Sequence, residues 1–303
     1  MTDTDIDHPA LDAVRKLREP APYTVPRILP GLTYEEYDAL PGIRSGDLKR
    51  MATSPLHYRE GDGGADTASR VELRAMHAAI LEPETFGSSF AACSVRQSLR
   101  DKAFQAWCVD HPDQDPLTDK QIVKVNAVAE AIRRHPIAGP MLAAPGRSEL
   151  TLQWCHPATG LLCKARLDRL SEEWGHPLVV DLKGFGTTVL RRLASLVVRQ
   201  GAHVQAAHYA EGAAICLGRE LRDVWSRLVV YETAKPNDVG VVQLDHDGAR
   251  FAGQKEREEL LVKIVEHEAS GEWPGALPHI EVLELPPWAW GEDEDQLIVE
   301  ETP

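Results

Sequence analysis

The sequence predicts a mixed α/β (α+β) fold, and three observations carry that prediction. Three strand-like runs, 149–155, 161–167 and 178–183, follow one another with turn-forming residues between them, as in an antiparallel meander. Helical periodicity comes before the meander, over 67–81 and 118–135, and after it, over 189–217 and 248–270. The chain has 303 residues, 43% of them hydrophobic, enough for one large elaborated core or two small ones.

In order along the chain, residues 1–30 hold Pro9, Pro20, Pro22, Pro26 and Pro30 and read as a flexible Pro-rich arm, with a short helix over 11–17. Residues 31–290 read as a single domain and 291–303 as an acidic tail. Thr33 is placed to cap a helix over 34–40, and Ser45 one over 46–51 that stops at Ser54-Pro55. Gly61-Asp62-Gly63-Gly64-Ala65-Asp66 is a loop. The helix after it, 67–81, ends at Glu82-Pro83 and puts His77 on the side of Leu73 and Leu81. A lone histidine there is ordinarily a satisfied core residue. Thr118 or Asp119 caps the helix over 118–135, whose stripe is Ile122, Val125, Ala129 and Ile132. His156-Pro157-Ala158-Thr159-Gly160 and the polar run 171–177 are the two hairpin loops of the meander.

After Lys183, the loop Gly184-Phe185-Gly186-Thr187-Thr188 opens the helical stretch 189–217, interrupted near Gly201. Gln205 and Tyr209 lie one turn apart on one face of it, with Arg191, Arg192, Arg199 and His203 adding positive charge nearby. Strands over 224–232 and 239–244 flank the turn Lys235-Pro236-Asn237-Asp238. A long helix with a charged outer face, 248–270, is ended by Gly271-Glu272-Trp273-Pro274-Gly275, and an apolar, Pro-rich segment runs to Trp290.

The net charge of −14 argues against a general nucleic-acid coat protein. Six of the acids, with no bases, lie in 291–303, and an acidic enzyme still holds DNA through a local basic channel and its metals. The five cysteines show no CxxC spacing and suggest no zinc site. No apolar run approaches a membrane span and the start of the chain lacks an apolar signal segment, so the expected location is the cytoplasm, away from membranes.

The chemistry concentrates in the meander. Residues two apart on a strand share a face, so Asp181 and Lys183 point one way with Leu182 between them. Folding back at 171–177 brings Asp168 beside Asp181. Two carboxylates and an ammonium at one spot suit metal-assisted phosphodiester hydrolysis, with hard oxygens on Mg²⁺ or Mn²⁺ and the lysine acting on the water and the transition state. Alone, the same residues more often mark a solvated hairpin carrying a salt bridge.

Further pieces stand in a fixed order around them: Ser45-x-x-Leu48-Lys49 with Ser54-Pro55-x-His57-Tyr58; Met76-His77 before Leu81-Glu82-Pro83-Glu84-Thr85-Phe86; Glu149 before Thr159-Gly160-Leu161-Leu162-Cys163-Lys164-Ala165-Arg166-x-Asp168; Val180-Asp181-Leu182-Lys183; His203-Val204-Gln205-Ala206-Ala207-x-Tyr209; and Gly271-Glu272-Trp273-Pro274-Gly275. Over roughly residues 40–290 the chain resembles the exodeoxyribonuclease VIII (RecE) nuclease domain, within the PD-(D/E)xK superfamily that also holds lambda exonuclease and the RecB nuclease domain.

The resemblance implies a restriction-endonuclease-like core, a central mixed sheet flanked by helices. It implies that His77, Asp168, Asp181 and the Leu182 carbonyl bind divalent metal, that Lys183 is the catalytic lysine, and that Glu149 is a recurring acid of the site. Gln205 and Tyr209 match the QxxxY helix lining the DNA channel; Ser45 and Arg166 match 5′-phosphate contacts by position. The implied activity is a Mg²⁺-dependent 5′→3′ exonuclease (Mn²⁺ able to substitute) on linear double-stranded DNA. Its 3′ overhangs would serve phage-type recombination through a single-strand annealing protein, and a homo-oligomeric ring would thread the DNA. An endonuclease or single-strand-specific nuclease on the same core, or a catalytically silent DNA-end-binding scaffold, are the alternatives. An iron–sulfur cluster is not expected, because Cys216 stands alone after the QxxxY helix. Two departures stand out: Glu72-Leu73-Arg74-Ala75 replaces the family's Gly-containing approach to the histidine, and Gly184-Phe185-Gly186 displaces the usual threonine to Thr187-Thr188.

Overall fold

The structure, a computed structural model, describes residues 26–61, 68–98, 100–244 and 247–285. The short helix expected over 11–17 and the acidic tail lie outside the described residues. The strands are β1 (Arg27–Leu29), β2 (Phe90–Ala92), β3 (Asp115–Leu117), β4 (Gly146–Cys155), β5 (Leu162–Glu173), β6 (His176–Phe185), β7 (Trp225–Glu232) and β8 (Val239–Gln243). The helices are α1 (Tyr34–Ala39), α2 (Ser45–Thr53), α3 (Pro55–Glu60), α4 (Ala68–Leu81), α5 (Phe86–Ser89), α6 (Lys102–Asp110), α7 (Asp119–Arg134), α8 (Ala138–Ala143), α9 (Leu190–Arg199), α10 (Ala202–Leu217) and α11 (Ala249–Ser270).

The fold is mixed α/β, with a central six-stranded sheet in the order β1-β4-β5-β6-β7-β8 and helices on both faces. β4, β5 and β6 form the antiparallel meander. β6 and β7 run parallel because α9 and α10 cross over between them, and β8 closes antiparallel on β7. Arg27–Leu29, inside the stretch read as an arm, pairs along β4. The loop expected over 171–177 is in fact a two-residue turn, Trp174-Gly175, with both residues at positive φ. Its polar flanks stay in the ladder because they find partners on β7: Arg227 Nη1 donates to Glu173 Oε1 at 2.9 Å, and His176 stacks on Trp225. β6 likewise continues two residues past Lys183, since Phe185 is buried in a third core beside α9.

Alternation along the strands divides the core. Leu178, Val180 and Leu182 face α4, α7 and α8, while Val179 and the β5 residues Cys163, Ala165 and Leu167 face α2, α10 and α11. α10 is buried on every side from Ala202 to Ala214, as befits a helix between a sheet and another helix. α11 crosses it so closely that a Cβ on Gly253 would fall 2.1 Å from the His203 carbonyl oxygen, so only glycine fits.

The caps follow the sequence at Thr33 and Thr118, each with a full capping box. Ser45 differs. It is the first helical residue of α2, and the cap is Arg44, whose N–H donates to Asp47 Oδ2 at 2.9 Å. Ser54 does more than stop α2, because its hydroxyl accepts from the His57 N–H and starts α3. α1 and α2 are fastened to β5. Lys164, buried, donates to the carbonyls of Tyr37, Asp38 and Leu40 at 2.6–3.0 Å. Ile43 lies alongside β5, donating to Leu162 O and accepting from the Lys164 N–H. Two of the sequence pieces meet further on: Tyr58 stacks on Trp273 at 5.7 Å, and the Leu56 N–H donates to the Pro274 carbonyl.

Between β4, α10 and α11 lies a buried polar network. Arg257 grips both oxygens of Glu211, at 2.6 and 2.7 Å, and donates from Nε to His208 Nδ1 at 3.2 Å. Trp154 Nε1 donates to Glu211 as well. With Nδ1 accepting, His208 carries its proton on Nε2, 3.1 Å from the Lys164 carbonyl. Removing one member of such a pair strands a buried charge. Arg257→Met should therefore cost about 3–5 kcal/mol, and adding Glu211→Gln should return part of it. Urea unfolding of the single and double variants measures both, and a double variant no better than the single one would count against the pair.

Burial, joined by the Arg257 charge, pushes the His208 imidazole down to about 3 from 6.5. Between those values the unfolded chain takes a proton there and the folded chain does not, so stability falls as pH falls through that window. The stability difference between wild type and His208→Gln should shift by about 2–3 kcal/mol between pH 7 and pH 4.5 in the direction that favours the variant in acid. A pH-independent difference would contradict the assignment.

Candidate active site

The site forms where the meander splits. The β5–β6 ladder runs from Glu173↔His176 to Arg169↔Val180 and stops. β5 continues against β4 and β6 against β7, so the two strands part with Asp168 and Asp181 facing the gap. In place of a backbone partner, the Leu182 N–H donates to Asp168 Oδ2 at 2.7 Å. The N–H and C=O of one strand residue leave from the same edge, so the Leu182 carbonyl opens into the same fork. By alternation Asp168 leans in from the α4 side and Asp181 from the α10 side.

Opposite Asp168 on the other edge of β5 stands Glu149. Pairing holds its register on either side, Ser148↔Arg169 and Leu150↔Leu167, and is missing only at Glu149. Its φ of 49° is left-handed, uncommon for a residue with a side chain. Arg166 Nε donates to Glu149 Oε2 at 2.6 Å and Arg166 Nη1 to the Leu32 carbonyl at 2.6 Å. Arg166 is thus engaged in holding Glu149.

α4 brings His77 Nδ1 to 3.7 Å from Asp168 Oδ1. The buried stripe of α4 is Val71, Ala75, Met76 and Ala79, whereas Leu73 is 47% exposed. His77 therefore flanks the apolar stripe and does not lie within it, as Leu73 and Leu81 had suggested. From α10, Gln205 Nε2 donates to Asp181 Oδ1 at 3.2 Å and to the Tyr209 hydroxyl at 2.8 Å. The Lys183 ammonium forms an ion pair with Asp181 Oδ2. That oxygen is buried and accepts no aligned hydrogen bond, so Lys183 serves it as a charge and not as a directed donor.

Burial, then the Asp181 charge, pushes Asp168 up to about 7, with Lys183 and the Leu182 N–H working against them. Glu149 is raised by burial and by Asp168, against Arg166. Burial holds His77 below its usual range, so its imidazole is neutral at pH 7 and keeps a lone pair to offer. Buried, crowded carboxylates of this kind gain from a cation placed among them. His77, Glu149 and Asp168 each place a ligand atom within 4.8 Å of the others, and Asp181, paired with Lys183, adds a further buried carboxylate. Oxygens with one imidazole suit Mg²⁺ or Mn²⁺, and the residues fit such an ion.

His77, Glu149, Asp168, Asp181, Leu182, Lys183, Gln205 and Tyr209 are thus brought together, with Arg166 behind Glu149. Ser45 lies on α2, one turn before Lys49. Lys49 is one of the bases, with Arg50, Arg166, Arg191 and Arg192, that the sequence offers as phosphate contacts; its stem packs on Gly201 at the start of α10.

No protein-family model matches the sequence, and no curated protein does. Among solved structures, the crystal structure of a protein named "Putative exonuclease" from Eubacterium rectale matches with a TM-score of 0.52 and 12% identity, covering 90% of this chain and 99% of that one. The two chains share a fold. SSO0001 matches at a TM-score of 0.28 and 10% identity over 72% of this chain and 84% of that one, too low to carry an argument. No helix among the described residues is long and apolar enough to cross a membrane.

A cation at this site must displace the proton that Asp168 holds below about pH 7. Apparent Mg²⁺ affinity should rise by up to about tenfold per unit as pH rises toward 7, then level off, with proton release shrinking in step. Calorimetric titration in two buffers of different ionisation heat measures both. Affinity independent of pH between 5.5 and 7 would remove Asp168 from the ligand set.

Proposed function

We propose that the chain is a metal-dependent nuclease that hydrolyses DNA phosphodiesters, specifically a 5′→3′ exonuclease on linear duplex of the RecE kind. The observation that carries this reading is the fork: Asp168, Asp181 and the Leu182 carbonyl meet at the split between β5 and β6, with Lys183 on Asp181 and His77 and Glu149 beside Asp168. A binder of DNA ends has no use for buried carboxylates against a lysine, since phosphate is repelled by them. The shared fold with a protein named as an exonuclease supports the reading, as does the order of the sequence pieces.

A divalent ion bound there supplies charge neutralisation at the phosphate and a water of lowered pKa. The chain's own groups do the rest. Lys183 keeps its ammonium partly exposed beside Asp181, placed to orient the attacking water and to offset charge growing on the phosphate oxygens. Gln205 fixes Asp181 through Oδ1, leaving Oδ2 turned to Lys183. Arg166 keeps Glu149 aimed past its strained backbone. In this reading the products are 3′ overhangs, the partner is a single-strand annealing protein, and the working form is a homo-oligomeric ring.

On linear, nicked and closed circular duplex with Mg²⁺ or Mn²⁺, linear ends should be degraded and closed circles spared, with activity lost in EDTA. Lys183→Ala should lower cleavage by about 10²–10³-fold or more while metal still binds; Gln205→Ala should lower it less. Rapid cutting of closed circles would mean an endonuclease, and a Lys183→Ala variant as active as wild type would place the chemistry elsewhere.

A further inference from the structure

Four bases stand around the N-terminal side of the site, and three are engaged. Arg50 is in an ion pair with Asp47, Lys164 is given to three carbonyls, and Arg166 holds Glu149. Lys49 is turned differently. Leu48 and Met51 are buried and fix the inner face of α2. Lys49 projects from that helix across Gly201, which with Gln200 links α9 to α10. A Cβ at Gly201 would meet Lys49 Cγ and Cε at 3.3 Å and Cδ at 3.7 Å. Gly201 also has φ +62°, so glycine there serves the chain reversal and leaves a track for the lysine stem. Gly201 lies one turn before Gln205, whose N–H donates to the Gly201 carbonyl and whose side chain donates to Asp181, so the track ends beside the site. The Lys49 side chain is still exposed to solvent.

We propose that Lys49 is a second lysine of the site, a DNA-phosphate contact that takes a non-bridging oxygen of a phosphate next to the one being cleaved. The proposal rests on the nuclease reading and deepens it. Arg50, Lys164 and Arg166 are committed to protein acceptors, whereas the Lys49 side chain passes Gly201 while open to solvent, and a phosphate is the anion that a nuclease brings. Through Gly201 the same lysine spans from α2 to the start of the helix bearing Gln205 and Tyr209, so DNA engagement and channel placement share one side chain.

The test uses the full chain with Lys49→Met, which keeps the stem, Lys49→Arg, which keeps the charge, and Lys183→Ala. A labelled linear duplex is followed by anisotropy with Ca²⁺ across a salt series, and by single-turnover cleavage with Mg²⁺ across duplex concentration. Lys49→Met should raise the half-saturating duplex concentration about tenfold, lower the limiting rate less, and make the log–log salt slope shallower by about 1. Lys49→Arg should recover most of the loss. If Lys49→Met binds duplex with wild-type affinity and salt slope, the proposal fails. It also fails if only Mg²⁺ affinity changes, because Lys49 then merely offsets Asp181. If Lys183→Ala is inactive while Lys49→Met matches wild type, only the role of Lys49 falls. If Lys183→Ala cleaves normally, the nuclease site falls and Lys49 with it.

Discussion

The 2.7 Å hydrogen bond from the Leu182 N–H to Asp168 Oδ2 stands where a β-ladder would otherwise go on. A buried backbone donor left alone costs about 1–3 kcal/mol, so β5 and β6 can part only because a side chain takes over. The substitution has a price of its own. It draws Asp168 into a dry place beside Asp181, where burial and the neighbouring charge disfavour the Asp168 anion. The fork and the electrostatic frustration are therefore one feature. Whatever relieves the frustration, a proton or a cation, must enter by the same gap.

Behind the fork the structure is built not to give. α10 is enclosed on all sides, with α11 crossing it at the distance only Gly253 allows. The Arg257–Glu211 pair and His208 tie β4, β5 and both helices together with charge-assisted and neutral hydrogen bonds. His156, Glu211 and Glu258 look like a second ligand cluster by proximity, but Arg257 already occupies both Glu211 oxygens and reaches Glu258. Buried ion pairs contribute little net stability; their worth lies in rejecting other arrangements. Here that matters for Gln205, whose reach to Asp181 depends on where α10 lies.

Much of this was legible in the residues, because alternation and turn chemistry are local. Asp181 and Lys183 had to share a face, and they do; 149–155, 161–167 and 178–183 had to fold back on one another, and they do. What stayed hidden depends on partners far along the chain. The polar ends of β5 and β6 read as loop, since Glu173 and His176 become strand only against Arg227 and Trp225. Arg27–Leu29 is too short to show a period, and β2 and β3 are three residues each. Ser45 has the chemistry of a cap but the place of a first helical residue, since Asp47 takes the Arg44 N–H instead. The parallel pairing of β6 with β7, and the splitting of the meander at Asp168, are long-range facts with no local signature.

The way α1 and α2 are held has a consequence for how the protein comes into being. Their anchor is Lys164, whose bonds to Tyr37, Asp38 and Leu40 span more than a hundred positions of chain. His77, Glu149, Asp168, Lys183 and Gln205 arrive from five different elements, and contacts of such sequence separation form slowly. A nascent chain that holds only its first helices lacks the strands that carry Glu149, Asp168 and Lys183 and the helix that carries Gln205. Assembly itself is thus the safety catch: the complete arrangement exists only in a molecule that has finished folding.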